Sequence, residues 1–414
     1  MPSGPSCAFA SPDRLRRVLL LAACGIMLCT PFTSSVANVC VVVGAIVWIA
    51  SCFLPGSSWP SRRPPLFSEW VWIFVAGALS LINTTYPMES LRGLLKLGKA
   101  FLIFAVAAEA ARVEEGPRWF VQAVWLAITL TAADGIWQYV AGQDPLRGIP
   151  NHIALGSFKR ITGGFLDPNS LGIFFGLTWP LCYLWARSPG SVLRRSAAWS
   201  GVLLGALALF FTFSRGAILG WLAGVALLVA VRRDRLLVGL ACAGLAVAWW
   251  SLPRAALDWV AHVPSPLVAL TNEDRLQMWQ AAWRMIRAHP FIGVGIGTFS
   301  QRYAEFKLPQ DPLMASYAHN TYLQLWAVVG LNGLLAFLAL CWRGWRLWRT
   351  SRPVDATRAM TGIGCMAGAL AFLTSGLLES NLSFSKLSML FWLISGFAMG
   401  IATAPTTAPA EPSD

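Results

Sequence analysis

Residues 319–342 read HNTYLQLWAVVGLNGLLAFLALCW, three polar residues leading into an apolar run that contains no Asp, Glu, Lys or Arg. A helix rises 1.5 Å per residue, so a run of this length crosses the ~30 Å hydrocarbon core of a bilayer. Ahead of it, 252–318 form the only long polar stretch of the chain, with Arg275, Arg284, Arg287, Arg302 and Lys307. Behind it stand Arg343, Arg346, Arg349 and Arg352. One apolar element with a polar segment at one end and a basic cluster at the other describes a membrane helix with two distinct sides.

The pattern repeats through all 414 residues, of which 56% are hydrophobic and only 12% charged. A soluble domain averages about 25% charged residues. The expected fold is an all-α polytopic membrane protein of about twelve transmembrane helices with one large periplasmic loop containing an amphipathic helix. The spans are placed at about 17–33, 35–54, 68–83, 91–110, 119–141, 169–186, 196–213, 216–231, 236–251, 319–342, 358–379 and 386–403. The organisation is therefore helices 1–9 over 1–251, the loop over 252–318, helices 10–12 over 319–403 and a polar tail over 404–414. Arg14, Arg16 and Arg17 precede the first run as in a signal peptide, but no small-residue cleavage site follows, and the run is read as a retained helix. The nine cysteines lie in or beside apolar runs and give neither a disulfide framework nor metal-ligand spacing.

A net charge of +13 would suggest nucleic acid in a soluble protein. Here the basic residues gather on alternate connections: Arg62/Arg63, Arg187/Arg194/Arg195, Arg232/Arg233/Arg235 and the cluster after 342. The positive-inside rule makes these loops and both termini cytoplasmic. The 252–318 loop then faces the opposite compartment, together with cations that the rule does not account for.

Those cations are the candidate site. Arg215 occupies the tight connection Phe213-Ser214-Arg215-Gly216, where it is either an anchor that snorkels to water or part of a substrate path. Arg92, Lys96 and Lys99 share one face of the fourth span and suggest a cavity lined for an anion, although pairing with Glu89, Asp134 or Glu379 would explain one of them. Arg275 opens a helix for which Thr271 or Asn272 is the expected cap and Leu276, Trp279, Trp283 and Ile286 the apolar stripe. That helix either lies on the bilayer or packs on a small outer subdomain. Gly293-Val294-Gly295-Ile296-Gly297 lacks the strand–helix setting of a nucleotide loop and reads as a hinge. In Asp167-Pro168-Asn169-Ser170, Asn169 is the expected helix cap and Asp167 a hydrogen-bond acceptor near the site.

His319 is one of four histidines and starts a helix, a place where histidine is more often structural than catalytic. The nearby arginines change that weighting, since they oppose imidazolium formation and leave a neutral ring able to take a proton from a hydroxyl. Asn320 and Tyr322 beside it are candidate lining residues, and no acidic cluster stands at metal-ligand spacing.

Three segments resemble the O-antigen ligase family, within the superfamily that also holds O-antigen polymerases and protein O-oligosaccharyltransferases. They are Phe213-Ser214-Arg215-Gly216-Ala217, the loop from Asp274-Arg275 to Gly293-Val294-Gly295, and His319-Asn320-Thr321-Tyr322-Leu323-Gln324 with Gly330-Leu331-Asn332-Gly333. The resemblance implies an inverting, metal-independent C-type glycosyltransferase without a cofactor, in the inner membrane of a Gram-negative bacterium. Its donor would be undecaprenyl-pyrophosphate-linked O-antigen and its acceptor lipid A-core oligosaccharide, joined on the periplasmic face to complete lipopolysaccharide. His319 would be the general base, with Arg215 and Arg275 on the pyrophosphate. A polymerase or protein O-oligosaccharyltransferase would use the same donor. A lipid-linked oligosaccharide transporter would also carry intramembrane charge, but no internal inverted repeat is visible.

Overall fold

The computed structural model describes residues 12–53, 63–154, 158–239, 241–242 and 265–404. Its helices are α1 (Pro12–Cys29), α2 (Ser34–Cys52), α3 (Phe67–Leu79), α4 (Pro87–Ala110), α5 (Gly116–Ala141), α6 (Pro168–Arg187), α7 (Val192–Phe211) and α8 (Arg215–Arg232), followed by α9 (Ser265–Ala288), α10 (Phe299–Phe306), α11 (Thr321–Thr350), α12 (Ala356–Ser375) and α13 (Ser385–Ala402). They overlie every expected span except the ninth, 236–251, most of which lies outside the described residues. Seven of the described helices (α2, α5, α7, α8, α11, α12 and α13) are long and apolar enough to cross a membrane. The chain is a helical, multi-pass membrane protein. Between α5 and α6 it adds a short antiparallel hairpin, β1 (His152–Ala154) with β2 (Phe158–Arg160), which sets His152 opposite Arg160.

The centre of the bundle is α6, buried along almost its whole length, with α8 and α12 against it. Small residues allow the close approach. A Cβ at Gly368 of α12 would stand 2.1 Å from the Leu177 carbonyl oxygen, and one at Gly220 of α8 would stand 2.3 Å from that of Ala371. Helices in lipid associate through such contacts because apolar burial alone gives no preference for protein over acyl chain. The consequence is positional: the starts of α6 and α8 and the end of α12 meet at one end of the bundle.

The long loop forms a second apolar cluster with Met285, Ile286, Val294, Phe299 and Tyr303 at its centre. It rests on a break in α11 at Gly330, whose φ is +71° and ψ −178°. Val294 N–H donates to the Ala327 carbonyl at 3.0 Å and Leu331 N–H to that of Pro290 at 2.9 Å, so the glycine loop docks backbone to backbone. A Cβ at Gly293 would come within 2.5 Å of Val328, so the glycine run, read as a hinge, is a packing wedge. Two further expectations are corrected here. The helix carrying Arg275 begins at Ser265, upstream of Thr271 and Asn272. Its buried face is Ala281, Ala282, Met285 and Ile286, while Leu276 and Trp283 are about half exposed at 51% and 48%. Of the expected stripe Ile286 is buried, while packing on α11 and α10 leaves Leu276 and Trp283 outside the buried face.

Candidate active site

Glu379 follows α12 in the short connection to α13, is 3% exposed, and draws several elements together. Its Oε1 accepts hydrogen bonds from the Arg275 guanidinium at 2.8 Å and from Asn169 Nδ2 at 2.9 Å. Its Oε2 lies 2.8 Å from His319 Nδ1. Donors of this number replace the hydration that a buried carboxylate loses.

Arg160 extends the group from the hairpin. Its guanidinium donates to Asn169 Oδ1 at 2.8 Å and to the Thr212 carbonyl at 2.7 Å, which fixes the end of α7 just before Arg215. Burial disfavours the charged form of Arg160; Asp167 and Glu379 favour it, and the proximity of Arg215 and Arg275 opposes it. Arg215 itself is exposed and has no hydrogen-bond or ion-pair partner among the described residues. The adjacent Gly216 brings the first turn of α8 against Glu379: a Cβ there would lie 3.7 Å from Glu379 Cγ.

Three helix starts meet at this point. Asp167 caps α6 by accepting from Ser170 N–H at 2.7 Å, Ser214 caps α8 through Ala217 N–H, and Asn320 caps α11 through the N–H groups of Tyr322 and Leu323. Each cap is preceded by a non-glycine residue with positive φ: Leu166 at +64°, Phe213 at +48° and His319 at +48°. That conformation costs about 1–2 kcal/mol per residue for an L-amino acid and tends to persist where function requires it. The helix dipoles direct positive potential at the same spot as the arginines, the usual arrangement for binding an anion.

The other expected residues have different surroundings. The cap of α6 is Asp167 and not Asn169, because Asn169 is drawn into the bridge between Arg160 and Glu379. Asn320 is used as a cap and donates its Nδ2 to the Leu377 carbonyl at 3.0 Å. The Tyr322 hydroxyl donates to the Leu373 carbonyl at 2.7 Å. Arg92 is paired with Glu89, one of the partners foreseen for it, and Lys99 reaches Ser385 Oγ at 3.3 Å, while Lys96 is exposed. Among the described residues, no hydrogen bond or ion pair joins these three to His319. Among the described residues, no three His, Cys, Asp or Glu side chains gather as a metal-binding group.

Arg160 and Glu379 were not selected from the sequence. Glu379 was weighed only as a partner for the cations of α4. A signal was present, since an acid between two apolar runs, in Leu377-Leu378-Glu379-Ser380-Asn381, needs a cation or several hydrogen-bond donors.

Residues 200–338 match the model of the family described as O-antigen ligase. The likeness to the O-antigen ligase family lies in this segment. The matched segment holds Arg215, Arg275 and His319, three members of the cluster, whereas Arg160, Asn169 and Glu379 lie outside it. The family match supports a ligase- or polymerase-type activity on O-antigen. No curated protein sequence matches the chain.

Proposed function

We propose that this protein is an inverting, metal-independent glycosyltransferase of the inner membrane. It joins O-antigen carried on undecaprenyl pyrophosphate to lipid A-core oligosaccharide at the periplasmic face. The observation that carries the reading is the contact of His319 Nδ1 with a carboxylate that also holds Arg275. In this reading Nδ1–H of the ring donates a hydrogen bond to Glu379 Oε2. The lone pair is then on Nε2, the atom that would take the proton of the acceptor hydroxyl. As the acceptor oxygen forms its bond to the anomeric carbon, the bond to the pyrophosphate oxygen breaks. The proton passes to Nε2, and the Glu379 carboxylate stabilises the imidazolium that results.

Negative charge grows on the leaving pyrophosphate. Arg215, with its guanidinium uncommitted, and Arg275, held in place by Glu379, are the proposed groups that receive it, aided by the starts of α6, α8 and α11. The planar guanidinium matches two phosphate oxygens at once, which a metal ion would otherwise have to do. His319, rather than Arg92, Lys96 or Lys99, is the centre of this reading, because the carboxylate bridge stands at the histidine. The arginines were expected to keep the ring neutral. In the structure the ion touching the ring is the carboxylate, which adds orientation to the role first foreseen.

The test is reconstitution of the purified protein with lipid A-core and a lipid-linked glycan, with and without EDTA. Product on lipid A-core in both conditions supports the proposal. Product found only as lengthened lipid-linked glycan makes the protein a polymerase, and transfer restored after EDTA only by Mg²⁺ or Mn²⁺ contradicts the metal-independent mechanism.

A further inference from the structure

At the other end of the bundle a second cavity, of about 590 Å³, lies between the start of α5, the α6–α7 connection and the start of α12. It is remote from His319. The α6 helix begins at the active site and ends beside this cavity after 20 residues, or about 30 Å at 1.5 Å per residue. Its size falls within the range of small-ligand pockets.

Two arginines and no acid line it. Arg194 is fixed in the wall: its guanidinium donates to the Trp185 carbonyl and to Ser188 Oγ, each at 3.1 Å, and lies 5.4 Å from the Trp185 ring centroid. Arg118 is exposed and without a hydrogen-bond or ion-pair partner among the described residues. The lining also includes Pro117 and Arg118 in the first turn of α5, Ser191 at the cap of α7, and Ala356 and Thr357 in the first turn of α12. The dipoles of three helices therefore add to two side-chain charges. Val121, Leu181, Leu184 and Met360 complete the cavity with apolar surface.

We propose that this cavity binds the phosphodiester headgroup of an anionic phospholipid in the leaflet away from the active site. The charge of the lining selects an anion, and the hydroxyls of Ser191 and Thr357 suit the oxygens of a phosphoglycerol. The apolar wall and the position at the end of membrane-crossing helices select a lipid over a free phosphate. A neutral or zwitterionic headgroup lacks the net charge that Arg118, in a lining without an acid, calls for. Arg118, the free cation, supplies the selectivity, and Arg194 forms the wall.

The experiment is native mass spectrometry of the full-length protein released from detergent with phosphatidylglycerol, with phosphatidylcholine, or with phosphatidylglycerol plus millimolar inorganic phosphate. The wild type should retain phosphatidylglycerol over phosphatidylcholine. Arg118→Glu should lower that retention by at least about fivefold, the scale of one basic residue at an anionic lipid surface. Arg232→Glu, which removes an exposed cation at the same end of the bundle, should leave retention unchanged. Thermal unfolding of both variants, measured alongside, confirms that each is folded when its lipid is counted. Equal retention of the two lipids, equal losses in the two variants, unchanged retention in Arg118→Glu, or displacement of the lipid by inorganic phosphate would each overturn the proposal.

Discussion

Glu379 accepts from Arg275 and Asn169 on one oxygen and meets His319 on the other, so a change that keeps its shape and removes its charge separates its roles. Glu379→Gln should slow transfer while donor binding through Arg215 persists. An unchanged rate of transfer per folded molecule would reduce Glu379 to a structural anchor. Arg215→Lys keeps the charge and loses the planar fork, so transfer should fall at least about tenfold with yield unaffected, as one lost charge-assisted hydrogen bond implies. Arg275→Lys should lower both rate and yield, since it also disturbs the bond to Glu379. Arg232→Lys, at the far end of the bundle, should be silent in the same assay. Arg343 would not serve as such a control, because it pairs with the buried Glu69.

Apolar run length was enough to place helices along most of the chain, since each hydrophobic stretch has one way to satisfy its backbone in lipid. Boundaries and helix faces were less legible. Asn169 and Asp167 both qualify as caps by residue type, and the choice was made by Glu379, some 210 positions away in sequence. The exposed Leu276 and Trp283 show the same limit: periodicity finds an apolar stripe, but the partner surface on α11 decides which residues are buried. His319 stood out because imidazole is rare in this chain, whereas Glu379 has no motif and gains its meaning only from what folds against it. The break in α11 gives a prediction at this scale. A Cβ at Gly330 would stand 2.3 Å from the backbone of Phe291 at a φ of +71°. Gly330→Ala should therefore lower the thermal unfolding temperature, by more than the ~1 kcal/mol of the left-handed conformation alone. An unchanged melting temperature would mean that the loop does not rest on that break.

Across the whole molecule, the account requires the histidine end of the bundle and the basic loops to face different compartments. Cysteines placed at the exposed Ser300 and Ser316 should react with an impermeant thiol reagent from the periplasmic side, and one at Ser351 only after the membrane is permeabilised. Labelling of Ser300 from the cytoplasm alone would reverse the topology and remove the site from its substrates. The central claim is that a histidine oriented by a buried carboxylate performs glycosyl transfer at that outer end. Its most direct test is the rate of transfer per folded molecule in vesicles that hold either the wild type or His319→Ala, with donor binding and protein yield measured in parallel. The account predicts that His319→Ala folds and binds the lipid-linked donor through the remaining arginines, while product formation falls about 10²–10⁴-fold, the usual contribution of a general base. A folded His319→Ala protein that transfers at the wild-type rate would contradict it.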